Sequence, residues 1–284
     1  MEYTFITGAT GGIGKTFCRY YAKEGCNLFI TGRSEEKLTA LKEELLMLND
    51  SISVKYLPAD LTDRQSRDNL FTYADNNEIS VTRLVNVAGA DIQKGFLSYT
   101  DDKVIFQIRV NVEATISLTH MFLERLDFGD TGNTKANRKK AYDKTGGKKK
   151  NLPEIITVSS LSGVSPMPYF QLYSATKACL TNFFKSLRVE LKGKVNVTTV
   201  LPGGVYTRPD ICDDIKGQGL WGKLSAKTPD FVVKKSVKGV RKNKKLVIPG
   251  FWNKSLYTLM KFVPENVKLK FIANRWKKQT KDAF

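Results

Sequence analysis

Residues 7–15 read TGATGGIGK, a glycine-rich stretch that separates two segments of different periodicity. Before it, YTFIT (3–7) is a short apolar run of the kind that forms a buried strand, and after it GKTFCRYYAKEG has a helical pattern. NLFIT (27–31) is a second β-rich run. The order of strand, glycine turn, helix and strand is typical of a βαβ unit that binds a dinucleotide at its first turn.

Gly8, Gly12 and Gly14 have a GxxxGxG spacing, which differs from the commoner GxGxxG fingerprint. Glycines at these positions permit a tight turn and a close approach of the backbone to a pyrophosphate, and a helix N-terminus favours an anion. The alternative interpretation is a turn that ends a strand without binding a ligand. Because the turn lies between a strand and a helix, its context favours cofactor binding.

Strand and helix continue to alternate along the chain. Further strand candidates are ISVKYL (52–57), RLVNVAG (83–89), IITVSS (155–160) and VNVTTVLPG (195–203). SEEKLTALKEELLML is a second helix with Ser34 as its N-cap, and a long helical pattern covers about 98–126. This alternation predicts an α/β fold, a single Rossmann-like, doubly wound parallel sheet with helices on both faces.

The end of the second strand selects between the two nicotinamide cofactors. An acidic residue there would accept hydrogen bonds from a ribose 2′-OH and repel a 2′-phosphate. This chain has ITGRSEE at that point, with Gly32 and Arg33 where the acid would stand and Thr10 as a further hydroxyl. The pattern favours NADP(H) over NAD(H), and the alternative is that Arg33 is a solvated turn residue.

Tyr173 and Lys177 lie in LYSATKA (172–178), and a helix there would place them one turn apart on the same face. A free phenol titrates near ~10 and is a poor base at neutral pH. A neighbouring ammonium favours the phenolate and lowers that pKa, so the pair could exchange a proton with an alcohol oxygen. The alternative is an ordinary surface pair.

The formal net charge of +18 is unevenly distributed. Residues 223–284 hold 17 Lys or Arg residues and three acids, and the polar, Gly/Lys-rich stretch at 129–151 adds more positive charge. We expect an NADP-binding catalytic domain at 1–250, interrupted by a basic flexible insert at about 129–151, and a basic aromatic extension at 251–284.

Other classes of protein and site find little support. Cys18, Cys26, Cys179 and Cys212 have no CxxC spacing, which argues against a metal site or a disulfide framework. No nucleic-acid-binding motif accompanies the charge, so we expect no nucleic-acid partner. The strand pattern leaves no room for a signal peptide, and no apolar run reaches the ~20 residues of a spanning helix. We therefore expect a cytoplasmic protein.

The motifs together resemble the short-chain dehydrogenase/reductase family, closest in pattern to its NADP-dependent 3-oxoacyl and ketosteroid-type reductases. TGATGGIG is similar to the family's cofactor turn, and NVAG resembles its NNAG element, with Val87 in place of the second Asn. Ser160 precedes Tyr173 by 13 residues, and Tyr173 with Lys177 matches the family's YxxxK pair. The resemblance covers about 1–207, and the common C-terminal pattern is absent after that.

The resemblance implies four catalytic residues. Tyr173 is implied to protonate a carbonyl oxygen while NADPH delivers hydride to its carbon, and Lys177 to lower the Tyr173 pKa and hold the ribose hydroxyls. Ser160 is implied to hydrogen-bond the substrate oxygen, and Asn111 in RVNVEAT to help hold a water chain that resupplies the proton. Strand alternation points the neighbouring Ser159 to the opposite side.

The resemblance also implies a cofactor site. Asp60 in PADLTD resembles the family's adenine-contacting acid, and LPGGVYT (201–207) the segment that closes over the nicotinamide. The expected contacts are Gly8, Thr10, Gly12, Ile13, Gly14, Arg33, Asp60, Leu61, Asn86, Ala88, Gly89, Tyr173, Lys177, Pro202, Gly203, Val205 and Thr207.

The expected substrate is a small apolar ketone or the matching alcohol, such as a 3-oxoacyl thioester or a ketosteroid-like compound. The candidate pocket rim contains Tyr169, Phe170, Leu220 and Trp221. His120, in SLTHMFL, is remote from the other candidates and is expected to be an ordinary packed or interface residue. A catalytically silent, NADP-sensing regulatory or membrane-surface protein is the alternative function.

Two further contacts are expected. The resemblance implies a homodimer or homotetramer, with the helices at about 98–126 and 173–192 packed against their mates. The tail mixes aromatic residues and lysines at roughly helical spacing, which suits peripheral contact with an anionic membrane. The alternative for the tail is that its aromatic residues pack on the body or over the pocket and leave only lysines exposed.

Overall fold

The computed structural model describes residues 1–126, 128, 152–207, 209–217 and 219–277. The predicted insert at 129–151 lies outside these residues. In the described part of the chain, seven strands form one sheet. They are β1 (Glu2–Ile6), β2 (Asn27–Ile30), β3 (Val54–Tyr56), β4 (Ser80–Asn86), β5 (Glu154–Val158), β6 (Asn196–Val200) and β7 (Leu246–Val247).

The strands are all parallel and lie in the order β3-β2-β1-β4-β5-β6-β7. Parallel neighbours need long crossover connections, which helices supply here. These are α1 (Gly12–Lys23), α2 (Glu35–Leu48), α3 (Arg64–Asn76), α4 (Asp101–Ile108), α5 (Ala114–Glu124), α6 (Gln171–Glu190), α7 (Pro209–Gly217), α8 (Gly219–Ser225), α9 (Pro229–Arg241), α10 (Phe251–Leu259) and α11 (Glu265–Trp276). The predicted doubly wound α/β fold is confirmed.

Both faces of the sheet are buried because successive side chains of a strand point to opposite sides. On one face, Phe5 stacks on Phe29 with 4.7 Å between ring centroids and meets the edge of Phe71 at 5.7 Å. On the other face, Ile6 joins Phe17 and Tyr21 in a separate core. The helices therefore sit on two sides of one sheet.

The winding of the sheet reverses beside β1, which has β2 on one side and β4 on the other. In open α/β sheets, ligands bind outside the carboxyl ends of the strands at such a point. The glycine turn follows β1 and the NVAG segment follows β4, so the fold brings these two motifs together.

The helix predicted over about 98–126 is present but is not continuous. A π-helical turn at Arg109–Glu113 separates α4 from α5. Such turns are often found at functional sites, because they redirect the side chains within them. Asn111 lies in the middle of this turn.

The C-terminal extension forms α10 and α11, and the division proposed at residue 250 falls at the start of α10. Asn253 attaches α10 to the body, since its buried Nδ2 donates to Ser225 O at 2.8 Å and to Pro249 O at 2.7 Å. Among the described helices, none is both long enough and apolar enough to cross a membrane.

Candidate active site

A cavity of about 700 Å³ opens at the carboxyl ends of the strands, beside the point where the winding reverses. Most of the predicted cofactor residues lie on its wall. These are Gly8, Thr10, Gly12, Ile13, Gly14, Arg33, Asp60, Leu61, Ala88, Gly89, Tyr173, Lys177, Pro202, Gly203, Val205 and Thr207. Ser160 also lines this cavity. The topology therefore gathers motifs that are far apart in sequence.

The glycine turn needs glycine for two different reasons. Gly8 has φ of +63°, and a Cβ there would lie 2.8 Å from the backbone of Ala88. A Cβ on Gly14 would lie 2.1 Å from the carbonyl oxygen of Gly8, so only glycine lets α1 start this close to the turn. Thr7 fixes the facing segment, because its Oγ1 accepts from Val87 N at 3.1 Å and Ala88 N at 3.2 Å.

The first turn of α1 suits the pyrophosphate of a nicotinamide cofactor. The N-cap residue is Gly11, which supplies no side-chain cap for the first backbone N–H groups of the helix. Gly11, Gly12, Ile13 and Gly14 all line the cavity. Uncapped N–H groups at the positive end of a helix dipole bind anionic phosphates, so the residues present fit this group.

The ribose end of the cavity is formed after β2 and β3. Thr10, Gly32 and the exposed Arg33 lie on its wall. Asp60 follows β3, and its Oδ1 accepts from Thr62 N at 2.9 Å and Thr62 Oγ1 at 2.8 Å. Among the described residues lining the cavity, the acids are Asp60 and Asp91, so the end of β2 carries no carboxylate.

Asn86 and Asn111 are not on the cavity wall. Asn86 is buried and links strands to a helix, since its Nδ2 donates to Thr119 Oγ1 at 3.1 Å and Thr157 Oγ1 at 3.3 Å. The predicted contact between Asn86 and the cofactor would therefore have to be made by the Asn86 backbone or by neighbouring residues.

Asn111 stands directly behind the wall. Its Oδ1 accepts from Ala90 N at 2.7 Å, and its Nδ2 donates to Ala90 O at 2.9 Å and Thr176 Oγ1 at 3.0 Å. A Cβ on Gly89 would lie 2.9 Å from Asn111 Oδ1 and 3.4 Å from Lys177 Nζ. Asn111 thus connects the segment after β4 to the helix that carries Tyr173 and Lys177.

Ser160, Tyr173 and Lys177 form the chemical centre of the cavity. Tyr173 and Lys177 lie one turn apart on α6, with Lys177 Nζ 5.5 Å from the centroid of the Tyr173 ring. The Ser160 side chain lies close enough to the Tyr173 hydroxyl to influence its pKa. Ser160 follows β5 and also accepts from Ser162 N at 3.1 Å, in a short 3₁₀ turn at Leu161–Val164.

Close packing holds that turn against α6. A Cβ on Gly163 would lie 2.6 Å from the carbonyl carbon of Lys177, so the glycine permits the contact. Ser159 points away as expected, because its Oγ donates to Lys177 O at 2.8 Å and lies 2.7 Å from Thr181 Oγ1. Of these two neighbouring serines, Ser160 is therefore the one whose side chain is next to the Tyr173 hydroxyl.

The electrostatics of the pair differ from expectation. Burial raises the pKa of Tyr173 above its ordinary range, the Asp91 carboxylate adds to this, and the hydrogen bond with Ser160 acts in the opposite direction. Burial lowers the pKa of Lys177 to about 8. Lys177 Nζ donates to Val158 O at 3.1 Å and lies over the Tyr173 ring, and the net shift of the Tyr173 pKa is upward where the sequence predicts a lowering.

The opposite end of the cavity is apolar, and the C-terminal extension forms much of it. Phe170 stacks on Tyr173 with 4.5 Å between centroids, and Trp276 stacks on Phe170 at 5.7 Å. Leu256, Met260, Phe271 and Ile272 also line this end. From the sequence, packing of the tail over the pocket is only one of the alternatives, and the helical spacing of the tail residues is the pattern that indicates it.

Some sequence expectations for this end are corrected or untested. Tyr169 has φ of +63° and does not line the cavity, whereas Phe170 does. The side chains of Leu220 and Trp221 lie outside the described part of the structure. Asp91 was missed, although it lies two residues after NVAG, and its carboxylate acts to raise the pKa of both Tyr173 and Lys177.

The sequence predicts that His120 is either a packed or an interface residue, and in the structure its side chain is not packed. It is exposed on α5, with Nδ1 3.4 Å from Glu124 Oε2 and away from the cavity. Within the described ranges, His, Cys, Asp and Glu side chains form no cluster of three or more that could hold a metal ion.

Known proteins share this fold and these motifs. The family model described as short chain dehydrogenase matches residues 2–135 and 142–211. The chain is 33% identical over 206 residues to a very-long-chain 3-oxoacyl-CoA reductase from Candida glabrata, covering 70% of this chain and 55% of that protein. It is 29% identical over 258 residues to a 7beta-hydroxysteroid dehydrogenase from Mediterraneibacter gnavus, covering 89% of this chain and 88% of that protein.

A solved structure from work on 7beta-hydroxysteroid dehydrogenase stereoselectivity aligns with a TM-score of 0.78 and 25% identity, over 96% of each chain. The chain spans only about half of the 3-oxoacyl-CoA reductase, but the family model covers more than half of this chain. The chain therefore belongs to the short-chain dehydrogenase family, oxidoreductases that act on keto and hydroxyl groups with a nicotinamide cofactor.

Proposed function

We propose that this protein is an NADPH-dependent carbonyl reductase, and in reverse an alcohol dehydrogenase, for an apolar ketone. The observation that carries the proposal is the position of the Ser160 side chain at the Tyr173 hydroxyl, with Lys177 Nζ 5.5 Å from the centroid of the same ring. All three residues line the cavity that begins at the glycine turn. This arrangement supports a role for Tyr173 as a proton donor beside the site that suits the cofactor.

Tyr173 is the proposed general acid. Because burial raises its pKa, the hydroxyl keeps its proton at neutral pH and can give it to a carbonyl oxygen that becomes an alkoxide. Ser160 lies within hydrogen-bonding reach of the same hydroxyl, so both side chains can donate to that oxygen and stabilise the developing charge. NADPH, when bound, supplies the hydride for the carbonyl carbon.

Lys177 is assigned two tasks. Its ammonium, close to the Tyr173 ring, stabilises the tyrosinate that remains after proton transfer. It also binds the ribose hydroxyls of the cofactor. Asn111, fixed between Ala90 and Thr176, is assigned to hold the water chain through which Tyr173 regains its proton.

The preference for NADPH is proposed from Arg33. The guanidinium is exposed at the cavity rim next to Gly32 and Thr10, where it can pair with a ribose 2′-phosphate. The absence of a carboxylate among the described residues at the end of β2 supports the same choice.

The proposed substrate is an apolar ketone, of the 3-oxoacyl thioester or ketosteroid-like class. The aromatic and aliphatic side chains around Phe170 and Trp276 support it, because they offer contact area without hydrogen bonds. The relatives named above act, by their names, on a 3-oxoacyl-CoA and on a hydroxysteroid, which supports the same two classes.

We further propose that the protein forms a homodimer, or a homotetramer built from it, through α4, α5 and α6. Ile105 and Ile108 on α4 and Val189 on α6 are exposed large apolar residues. Light scattering at micromolar concentration should report a dimer or tetramer, and a monomer would contradict this assignment.

The reaction is tested by following nicotinamide absorbance with NADPH and a panel of apolar ketones. Turnover of at least one ketone by the native chain, lost in Tyr173→Phe, supports the proposal. A chain that binds NADPH tightly but reduces none of them would be the catalytically silent, NADP-sensing protein instead.

A further inference from the structure

The outer side of the C-terminal helices is an exposed apolar surface. Its members are 53% to 79% exposed, and we call them the tail surface: Phe251, Trp252, Leu259, Phe262, Val267 and Phe271. Trp252 and Leu259 lie seven residues apart on α10, and Val267 and Phe271 four apart on α11, so each pair shares one helix face. Large apolar side chains exposed in this number on two neighbouring segments of the chain point to an interaction site.

The inner side of the same helices closes the cavity. Met260, Ile272 and Trp276 line it, and Ile272 is buried. Leu256 and Phe271 belong to both the inner and the outer side of these helices, because they line the cavity and are also 37% and 62% exposed. Leu256 and Phe271 therefore connect the apolar end of the cavity to the tail surface, and Asn253 and Arg275 also line the cavity at this end.

The tail surface is set among positive charges. Residues 251–277 contain six Lys or Arg residues and one acid, Glu265. Lys254, Lys261 and Lys270 are exposed beside the apolar side chains, and Lys261 Nζ lies 4.6 Å from the centroid of the Tyr257 ring. Aromatic and aliphatic side chains interspersed with exposed lysines match the layered chemistry of an anionic bilayer, acyl chains below phosphate headgroups.

A second copy of the chain fits this surface less well. In a two-fold contact the same patch meets itself, so the lysines of one copy would face those of the other. One acid among six basic residues cannot neutralise that contact. Anionic lipid both neutralises the lysines and accepts the aromatic rings.

We propose that the tail surface docks on an anionic lipid bilayer and that the ketone enters the cavity directly from the lipid, through the opening at Leu256 and Phe271. The substrate class is then a ketone dissolved in the membrane. The proposed docking depends only on the tail surface, whereas the proposed entry of the substrate rests on the proposed function. The alternative that all aromatic residues of the tail are buried is wrong, because Phe251, Trp252, Phe262 and Phe271 are exposed.

Sedimentation with vesicles tests the docking. The full chain is mixed with phosphatidylcholine vesicles, with or without phosphatidylserine, at low and at high salt. We expect binding to the anionic vesicles at low salt and at least about tenfold weaker binding to neutral vesicles or at high salt, because the lysine contribution is screened. A chain that stays in the supernatant under every condition overturns the proposal.

Two variants separate the surface from the fold. Trp252→Glu/Phe262→Glu changes exposed residues that do not line the cavity, and Met47→Glu is the matched control on α2, where Met47 is 87% exposed. We expect the double variant to lose at least about tenfold in partitioning to anionic vesicles and the control to stay within twofold. Equal partitioning of the two variants would overturn the assignment to the tail surface.

Activity assays connect docking to the substrate. With a water-soluble ketone and no vesicles, the double variant should match the native chain; with a ketone dissolved in anionic vesicles, its kcat/KM should fall at least about tenfold, following the lost partitioning. If the double variant instead turns a lipid-free dimer into a monomer, the occupant is a second copy and the proposal is wrong. If the native chain binds vesicles yet reduces no ketone, the proposed reaction fails while the docking stands.

Discussion

The indole ring of Trp276 stacks on the ring of Phe170, with 5.7 Å between centroids and 27° between ring planes. Phe170 stacks in turn on Tyr173 at 4.5 Å. The end of α11 therefore contacts, through a single intervening ring, the residue that we propose as the proton donor. The C-terminal extension forms part of the cavity wall, even though it lies beyond the residues matched by the family model.

Replacement of Trp276 by Ala should weaken substrate binding more than chemistry. Loss of an aromatic stack costs about 0.5–1.5 kcal/mol beyond the lost area, so KM for an apolar ketone should rise roughly three- to tenfold. The value of kcat should change little, and NADPH affinity should stay the same. The matched control is Trp252→Ala, which removes an exposed indole from α10 and should leave KM unchanged in a lipid-free assay. Equal effects of the two changes would contradict the role of the stack.

Asn253→Ala should loosen the attachment of α10. The change leaves the carbonyl oxygens of Ser225 and Pro249 without the donor they now share, which costs about 1–3 kcal/mol of unfolding free energy. Urea denaturation measures the loss. Asn266→Ala on α11 is the control, because Asn266 is exposed and should alter stability by less than about 0.5 kcal/mol. The attachment would be unsupported if the two variants were equally stable.

The buried Lys177 gives stability a defined pH dependence. Burial lowers its folded pKa to about 8, below the unfolded value of about 10.4. The folded state therefore holds fewer protons than the unfolded state between these two values. Stability should rise with pH across this window, since unfolding takes up a proton there.

Comparison with Lys177→Met isolates this effect. The free energy of unfolding of the native chain, relative to the variant, should increase by about 2–3 kcal/mol between pH 7 and about pH 10.4. Lys192→Met, at an exposed lysine beyond α6, should show no such trend against the native chain. A difference between native and Lys177→Met that is independent of pH would show that Lys177 titrates normally.

Arg33 should set the cofactor preference. We expect NADPH to bind at least tenfold more tightly than NADH, about 1.4 kcal/mol, which one charge-assisted contact can supply. Arg33→Ala should remove most of that preference by weakening NADPH alone. Fluorescence titration of both cofactors measures it, with Lys23→Ala, exposed at the far end of α1, as the control. A native chain that binds both cofactors equally would rule out this role.

The strands, the glycine turn and the serine–tyrosine–lysine spacing could be predicted from sequence because each depends on local patterns. Apolar runs bounded by glycine define β1 and β4, and the four-residue spacing of Tyr173 and Lys177 follows from one helical turn. These motifs lie close together because the carboxyl ends of parallel strands all lie at the same edge of the sheet.

Other features depend on contacts distant in sequence. The π-helical turn around Asn111 has no periodic signal, since Asn111 is held by a hydrogen bond that it accepts from Ala90 N and one that it donates to Thr176 Oγ1. The lowering of the Tyr173 pKa was expected from its neighbour Lys177, but burial has the larger effect. The helices of the tail could be predicted from spacing, whereas their position over the cavity depends on the Asn253 hydrogen bonds to remote carbonyls.

The most direct test of the proposed chemistry is single-turnover reduction by Tyr173→Phe, with NADPH affinity measured on the same sample. The change removes one hydroxyl and leaves the stacked ring next to Phe170 in place. Loss of general acid catalysis predicts a hydride-transfer rate at least about a hundredfold lower, with an NADPH dissociation constant within about threefold of native. A rate within tenfold of native, with NADPH bound normally, would show that Tyr173 is not the proton donor.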